Sequence, residues 1–256
     1  MVMRQLRIFF TALQFFTRLP IPSWVGFDPE WVRASARFFP LIGIGVGAVA
    51  AILLLVVGQA VPITLAVLLS TVGTICLTGA LHEDGFADAC DGFGGGHTPQ
   101  KIIDIMRDPR IGAFGAIGIG LLLAIKVVTL ASMSLHCAAW ALLLAHPLSR
   151  LAATMLIWRM RYAAADGKAS IAVQPMSSTI FVVASLPVVV LFVIVLFNAQ
   201  IAPLSMLVSG VAVLICTAWL ARTFQHRLGG YTGDCLGAVQ QLTEAVFYLG
   251  VLVTQS

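Results

Sequence analysis

Six of the eleven acidic residues in this 256-residue chain lie between positions 83 and 108. The densest run reads His82-Glu83-Asp84-Gly85-Phe86-Ala87-Asp88-Ala89-Cys90-Asp91-Gly92. On a helix, Asp84, Asp88 and Asp91 fall at i, i+4 and i+7, so their carboxylates project from one face. Like charges at that spacing destabilise a helix. The pattern makes physical sense when a cation neutralises it. Oxygen-only donors suit Mg²⁺ or Mn²⁺, and the lack of a Cys or His ligand pattern argues against zinc. Mg²⁺ is usually held by a few carboxylates together with substrate phosphates, so a metal at Asp84, Asp88 and Asp91 implies a phosphorylated substrate. The plainer alternative is a solvated acidic loop.

Other polar clusters extend this reading. Gly92-Phe93-Gly94-Gly95-Gly96 is read as non-helical, a place where backbone approaches a ligand closely or simply a hinge. A short amphipathic helix is expected from Lys101, with Asp104 and Asp108 at i, i+4 and Arg107 and Arg110 beside them. Carboxylates for metal and guanidinium groups for phosphate, within one segment, suit phosphoryl transfer by positioning and charge stabilisation. Surface ion pairing among Asp104, Arg107 and Asp108 is the alternative. Thr17-Arg18-Leu19-Pro20 and the glycine-rich His226-Arg227-Leu228-Gly229-Gly230-Tyr231-Thr232-Gly233-Asp234 complete the set. The second of these offers backbone N–H groups, Thr232 and one further carboxylate to a nucleotide, although alone it reads as a turn.

These clusters need elements to hold them, and composition says which. The chain is 59% hydrophobic and 10% charged, against about 25% charged in an ordinary soluble domain. Its mean hydropathy is +0.99. Such a chain is no soluble enzyme, disordered protein or nucleic-acid binder. Apolar runs at roughly 40–58, 61–81, 111–134, 136–157, 179–197, 202–221 and 236–253 each approach the ~20 residues of a membrane span. The expected fold is an all-α, polytopic membrane protein of about seven transmembrane helices, forming one domain over residues 1–256. Residues 1–39 are read as a retained amphipathic segment on the membrane surface, and residues 82–110 as an acidic catalytic loop. The five cysteines show no metal-binding or disulfide spacing.

Thirteen of the fifteen Lys and Arg residues fall in segments 1–39, 82–110, 158–178 and 222–235, which alternation places on one side. The positive-inside rule makes that side cytoplasmic. Ten of the eleven acids share it. Four ionisable residues lie within spans: Lys126, His146, Arg150 and Glu244. Intramembrane charges are functional candidates by default, although Arg150, near a span end, is as readily a snorkelling side chain. A cation transporter is disfavoured by the bare opposite face.

Taken together, the motifs His82-x-Asp84-Gly85-x-Ala87-Asp88-x-x-Asp91-Gly92, Ile105-Met106-Arg107-Asp108-x-Arg110-x-Gly112 and Leu228-Gly229-Gly230-x-Thr232-Gly233-Asp234 resemble those of the cobalamin-5'-phosphate synthases, also called adenosylcobinamide-GDP ribazoletransferases. Thr17-Arg18-Leu19-Pro20 and Phe39-Pro40-Leu41-Ile42-Gly43 are similar to the family's N-terminal signatures. Two positions depart from it: Pro109, where many members carry Ser, and Ala113, where many carry Thr. CDP-alcohol phosphotransferases are the nearest rival, but their acidic motif has Arg directly after the Ala, where this chain has Asp88. Aspartate-rich prenyltransferases would leave the glycine-rich elements unexplained.

The resemblance implies a multi-pass enzyme of a bacterial cytoplasmic membrane, in contact with lipid and using Mg²⁺. Its substrates would be adenosylcobinamide-GDP and α-ribazole or its 5'-phosphate, with GMP released; no nucleic acid is involved, and association with a second copy is left open. In that chemistry Asp84, Asp88 and Asp91 are expected to hold metal, and Arg107 and Arg110 to contact phosphate. Asp108 or Asp91 is expected to act as base, and Arg18, Arg150, Gly230, Thr232, Gly233 and Asp234 to contact the nucleotide substrate. The cation partition yields a direct test. Reporter fusions at Gln59 and Ser134 should read periplasmic, and fusions at Gly95 and Gly230 cytoplasmic; a cytoplasmic signal at Ser134 would overturn the span count.

Overall fold

The computed structural model describes residues 2–163, 176–198 and 201–254. Asp166 and Lys168, counted in the charge partition above, lie outside the described residues. Among those described, regular structure is entirely helical. The helices are α1 (Val2–Phe16), α2 (Pro29–Ala34), α3 (Phe39–Val57), α4 (Ile63–Thr78), α5 (Leu81–Gly95) and α6 (Pro99–Met106). They continue as α7 (Ala113–Ala131), α8 (Leu135–Arg159), α9 (Ser178–Asn198), α10 (Pro203–Leu228) and α11 (Gly233–Val253).

Six of these stretches are long and apolar enough to cross a membrane, and a seventh crossing is available to α4 and α5 only as a pair bent by 90°. The expected second span, 61–81, therefore ends early. Gly79 at φ +66° and Ala80 at φ +59° are both left-handed, and they turn the chain through a corner at which α4 stops. Lipid-facing surfaces follow the sequence. Val182, Val183, Leu186 and Val189 on α9, and Leu204, Leu207, Leu214 and Ile215 on α10, are all exposed.

Helix ends follow local chemistry. Thr98, Ser134 and Thr232 cap α6, α8 and α11 by accepting from a backbone N–H three residues on. Gly229 at φ +72° closes α10 in a left-handed cap. The acidic segment, expected as a loop, is mostly helix. It forms α5 and α6, and α5 continues through Gly92–Gly95. Close packing explains those glycines better than flexibility does. A Cβ at Gly92 would stand 2.8 Å from Met106, one at Gly94 2.5 Å from Phe114 and one at Gly96 2.6 Å from Ile102. The run lets α5 fold down onto α6 and α7.

The same device joins the spans. On α3, a Cβ at Gly43 would lie 2.7 Å from the His146 carbonyl oxygen and 2.7 Å from Pro147 Cα of α8. Small residues that admit close backbone approach are the usual means of packing helices in lipid. Ser70 on α4 donates to the Ala50 carbonyl on α3 at 2.8 Å, tying the next pair. Gly43→Ala should therefore lower stability by about 1–3 kcal/mol through overpacking. Gly120→Ala on α7, whose new methyl meets nothing within 4 Å, should be neutral or stabilising by up to about 1 kcal/mol. Thermal unfolding in detergent compares the two, and equal losses would refute the packing account.

Candidate active site

Helices α5 and α11 cross at two glycines. A Cβ on Gly85 would sit 3.2 Å from Asp234 Cα, and one on Gly237 3.0 Å from the His82 carbonyl oxygen. This approach brings Asp234, at the start of α11, beside Asp84 and Asp88 of α5. Asp88 feels the charges of Asp84, Asp234 and Asp91 together. Asp84 is exposed, while Asp88 and Asp234 are partly buried. Among the described residues no three His, Cys, Asp or Glu side chains close up into a ready-made metal cage.

Asp91 is differently employed. It is buried, and its Oδ2 accepts from Gly112 N–H at 2.7 Å while Oδ1 accepts from Gly115 N–H at 2.8 Å. A carboxylate is thus held against the N-terminus of α7, where unpaired N–H groups and the helix dipole both favour negative charge. The glycines are required: a Cβ at either 112 or 115 would collide with an Asp91 oxygen. Of the three carboxylates expected on one metal face, Asp84 and Asp88 stand with Asp234, and Asp91 fastens α5 to α7.

The segment after α6 divides as well. Arg110 and Asp108 are locked together, with Arg110 Nε and Nη2 donating to the two carboxylate oxygens at 3.0 and 2.8 Å. Arg110 also donates its backbone N–H to Asp108 Oδ1 at 3.0 Å. These bonds from Arg110 hold Asp108 down to about 2, which leaves it little tendency to take a proton as a base. The Arg110 side chain is 86% exposed. Asp104 accepts from the Gln100 side-chain amide at 2.8 Å. Arg107 lies close enough to act electrostatically on Asp234 and Tyr162, which places it beside the carboxylate rim.

The glycine-rich segment before α11 is pinned by structure. Tyr231 N–H donates to Arg161 O at 2.9 Å, and Ala163 N–H to Tyr231 O at 2.8 Å. A Cβ at Gly230 would strike Arg161 O, which explains the glycine. Thr232 is buried and caps α11 through Cys235 N–H at 3.3 Å. Gly233 is exposed, at the first turn of α11 next to Asp234. Arg227, which opens the glycine-rich run beside His226, donates to the Gly96 carbonyl at 2.7 Å and closes the C-terminal end of α5. Arg18 is exposed and lies over the α4–α5 corner, its Nε against the place where a Gly79 Cβ would be.

Below this rim, the four intramembrane ionisable residues meet. Glu244 is fully buried and pairs with Lys126 Nζ at 2.6 Å and His146 Nδ1 at 2.8 Å. It also accepts from Ser149 Oγ at 3.1 Å and from the Gln240 side-chain amide, and Arg150 Nη1 approaches it at 3.7 Å. Gln241 links the cluster upward, accepting from Lys126 at 2.9 Å and donating to Glu83 Oε1 at 2.8 Å. Arg150 is 1% exposed, so it does not snorkel; its Nη1 donates to the His146 carbonyl at 3.0 Å and its guanidinium lies over the Phe16 ring. The meeting of Lys126 with Glu244, 118 positions apart, has no local signal in the sequence.

The family model of cobalamin-5-phosphate synthase matches residues 8–252. Among curated proteins, the adenosylcobinamide-GDP ribazoletransferase of Leptothrix cholodnii is 40% identical, over 98% of this chain and 97% of that one. Those of Ralstonia pickettii and Shewanella frigidimarina are 43% and 38% identical, over 96% and 98% of this chain and 95% of each relative. No solved structure matches.

The two kinds of aspartate should separate by the sign of their effect on stability. Asp91→Asn removes one of two acceptors facing the α7 N–H groups, and should destabilise by about 1–3 kcal/mol, the range for hydrogen bonds to a charged group. Asp88→Asn relieves like-charge crowding and should raise the melting temperature in chelator at pH 8. A lower melting temperature for Asp88→Asn under those conditions would refute the crowding.

Proposed function

The chain belongs to the cobalamin-5-phosphate synthase family, and from that premise we propose how its residues carry out the family's condensation. It joins the phosphocobinamide part of adenosylcobinamide-GDP to α-ribazole or α-ribazole 5'-phosphate and releases GMP, the last condensation of cobalamin synthesis. A ribose hydroxyl forms the new P–O bond at the phosphorus that carries the cobinamide arm and gives up its proton to solvent. The bond to the bridging oxygen breaks, and GMP leaves with that oxygen. The observation that carries the placement of this chemistry is the α5–α11 crossing, which sets Asp84, Asp88 and Asp234 on one rim with Arg107 beside them.

This rim fits Mg²⁺. Its donors are carboxylate oxygens only, and among the described residues neither Asp84 nor Asp88 has an ion-pair partner to neutralise it. Asp84, Asp88 and Asp234 would hold the ion, which supplies neutralising charge to the diphosphate and the departing phosphate. Asp91 acts one step removed, by fixing α5 against α7 so that the rim keeps its shape. Arg107 grips phosphate oxygens with a planar fork, and the positive end of the α11 dipole favours the same anion. The rim belongs to the polar side of the chain, which faces the cytoplasm of a bacterial inner membrane.

The decisive experiment is purified protein with both substrates and Mg²⁺, followed by chromatography for GMP. Chelation should abolish GMP release, and Mg²⁺ should restore it. Asp84→Asn, Asp88→Asn and Asp234→Asn should each lower kcat by about 100-fold or more, the scale of losing one charge-stabilising group. Full activity in Asp234→Asn would remove α11 from the metal rim. The two arginines should differ: Arg107→Lys, which loses the bidentate fork, should lower kcat/KM for adenosylcobinamide-GDP by at least tenfold. Arg110→Lys should keep the kinetics of the wild type, as expected for an exposed pair. Equal losses in the two variants would point to a disturbed loop instead.

A further inference from the structure

A cavity of about 170 Å³ opens beside the carboxylate rim, between α1, α3, α5, α8 and α11. Phe15, Phe16, Phe39 and Ala153 supply apolar wall, and the exposed Asp84 and partly exposed Asp234 line its outer part. Phe16 and His82 lie parallel, their ring centres 5.4 Å apart and their planes 2° off. Two residues of the lining each carry a buried polar atom with no hydrogen-bond partner among the described residues: Arg150 Nε and His82 Nε2. Their residues are 1% and 5% exposed. Gln240, the remaining polar side chain deep in the lining, is already committed, donating to Glu244 and accepting from Gln241.

Buried groups of this kind are nearly always satisfied, so the cavity calls for a ligand that is mostly apolar and carries a polar atom at one edge. Size narrows the choice. An apolar cavity of about 150 Å³ takes up benzene, so this one seats a single flat aromatic group. A corrin ring or a nucleoside diphosphate is far too large. Guanine is flat but has donors and acceptors around most of its edge, more than Arg150 and His82 can meet. A benzimidazole has apolar edges and one free ring nitrogen, which is an acceptor.

We propose that this cavity seats the base of α-ribazole, with Arg150 Nε–H donating to the free ring nitrogen and the Phe16–His82 pair forming one wall. The ribose then lies toward Asp84 and Asp234, where its hydroxyl meets the phosphate. The assignment rests on the function proposed above, and makes Arg150, Phe16 and His82 binding residues for the acceptor substrate.

Steady-state kinetics of GMP release by the full chain, with each substrate varied in turn, tests it alongside calorimetric titration of α-ribazole alone. Ala153→Leu fills the cavity and should raise the KM for α-ribazole at least tenfold, with less than a twofold change for adenosylcobinamide-GDP. Phe16→Ala widens it and should raise relative kcat/KM for a riboside of the larger naphthimidazole over α-ribazole. Wild-type protein should also discriminate by at least tenfold against an indole riboside, which lacks the accepting nitrogen, and this comparison does not depend on any variant folding. A KM change confined to adenosylcobinamide-GDP, or no discrimination against indole, would overturn the assignment. If wild type releases no GMP, the function falls separately. Calorimetry then decides the cavity: α-ribazole binding lost in Ala153→Leu supports the seat, and binding unchanged in that variant overturns it.

Discussion

A carboxylate with no exposure to water, inside a bundle of apolar helices, is the constraint on which much of this molecule depends. Glu244 can remain charged there only if counter-charges and donors surround it, because its desolvation costs several kcal/mol. Lys126 from α7, and His146, Ser149 and Arg150 from α8, meet that need from two helices, while Gln240 does so from its own. Three spans are thereby held in one register. A buried ion pair is weak evidence for net stability, but removing one partner strands a charge at a cost of about 3–5 kcal/mol. The network therefore specifies an arrangement more than it strengthens one. Arg150 is held by this network and reaches the aromatic cavity, so the deep cluster and the surface rim form one connected piece.

The second organising device is the absence of side chains. Gly43, Gly85 and Gly237 sit where helix backbones approach to within a Cβ radius, and Gly112 and Gly115 make room for Asp91. The acidic helix is consequently pressed between α7 and α11 at the level of the backbone. This gives carboxylates from distant parts of the chain a common rim. Arg227 completes the clamp from the far end, on the carbonyls that end α5.

Much of this was legible from residue order. The apolar runs announced the spans because lipid demands about 20 apolar residues in a row, and the scarcity of acids elsewhere singled out the segment that carries Asp84 and Asp88. What was not legible was tertiary. Gly92–Gly95 read as a break because helix propensity treats glycine as a cost; packing against Met106 and Phe114 outweighs that cost. Asp91 shares its helix with Asp84 and Asp88, yet its fate was decided by α7, more than twenty residues downstream. The aromatic cavity draws on α1, α3, α5, α8 and α11. No window of sequence contains it.

The corner at Gly79 and Ala80 has an evolutionary corollary. Two consecutive left-handed residues separate α4 from the helix that bears Asp84 and Asp88. Each residue of an α-helix advances the azimuth by about 100°. One inserted or deleted residue at the corner would swing both aspartates a quarter-turn or more around α5, even if every span stayed in place. Side-chain identity can drift at such a point, but chain length cannot. Across descendants of this fold, gaps should collect in the turns on the opposite face, between α3 and α4 and between α7 and α8, and spare this corner.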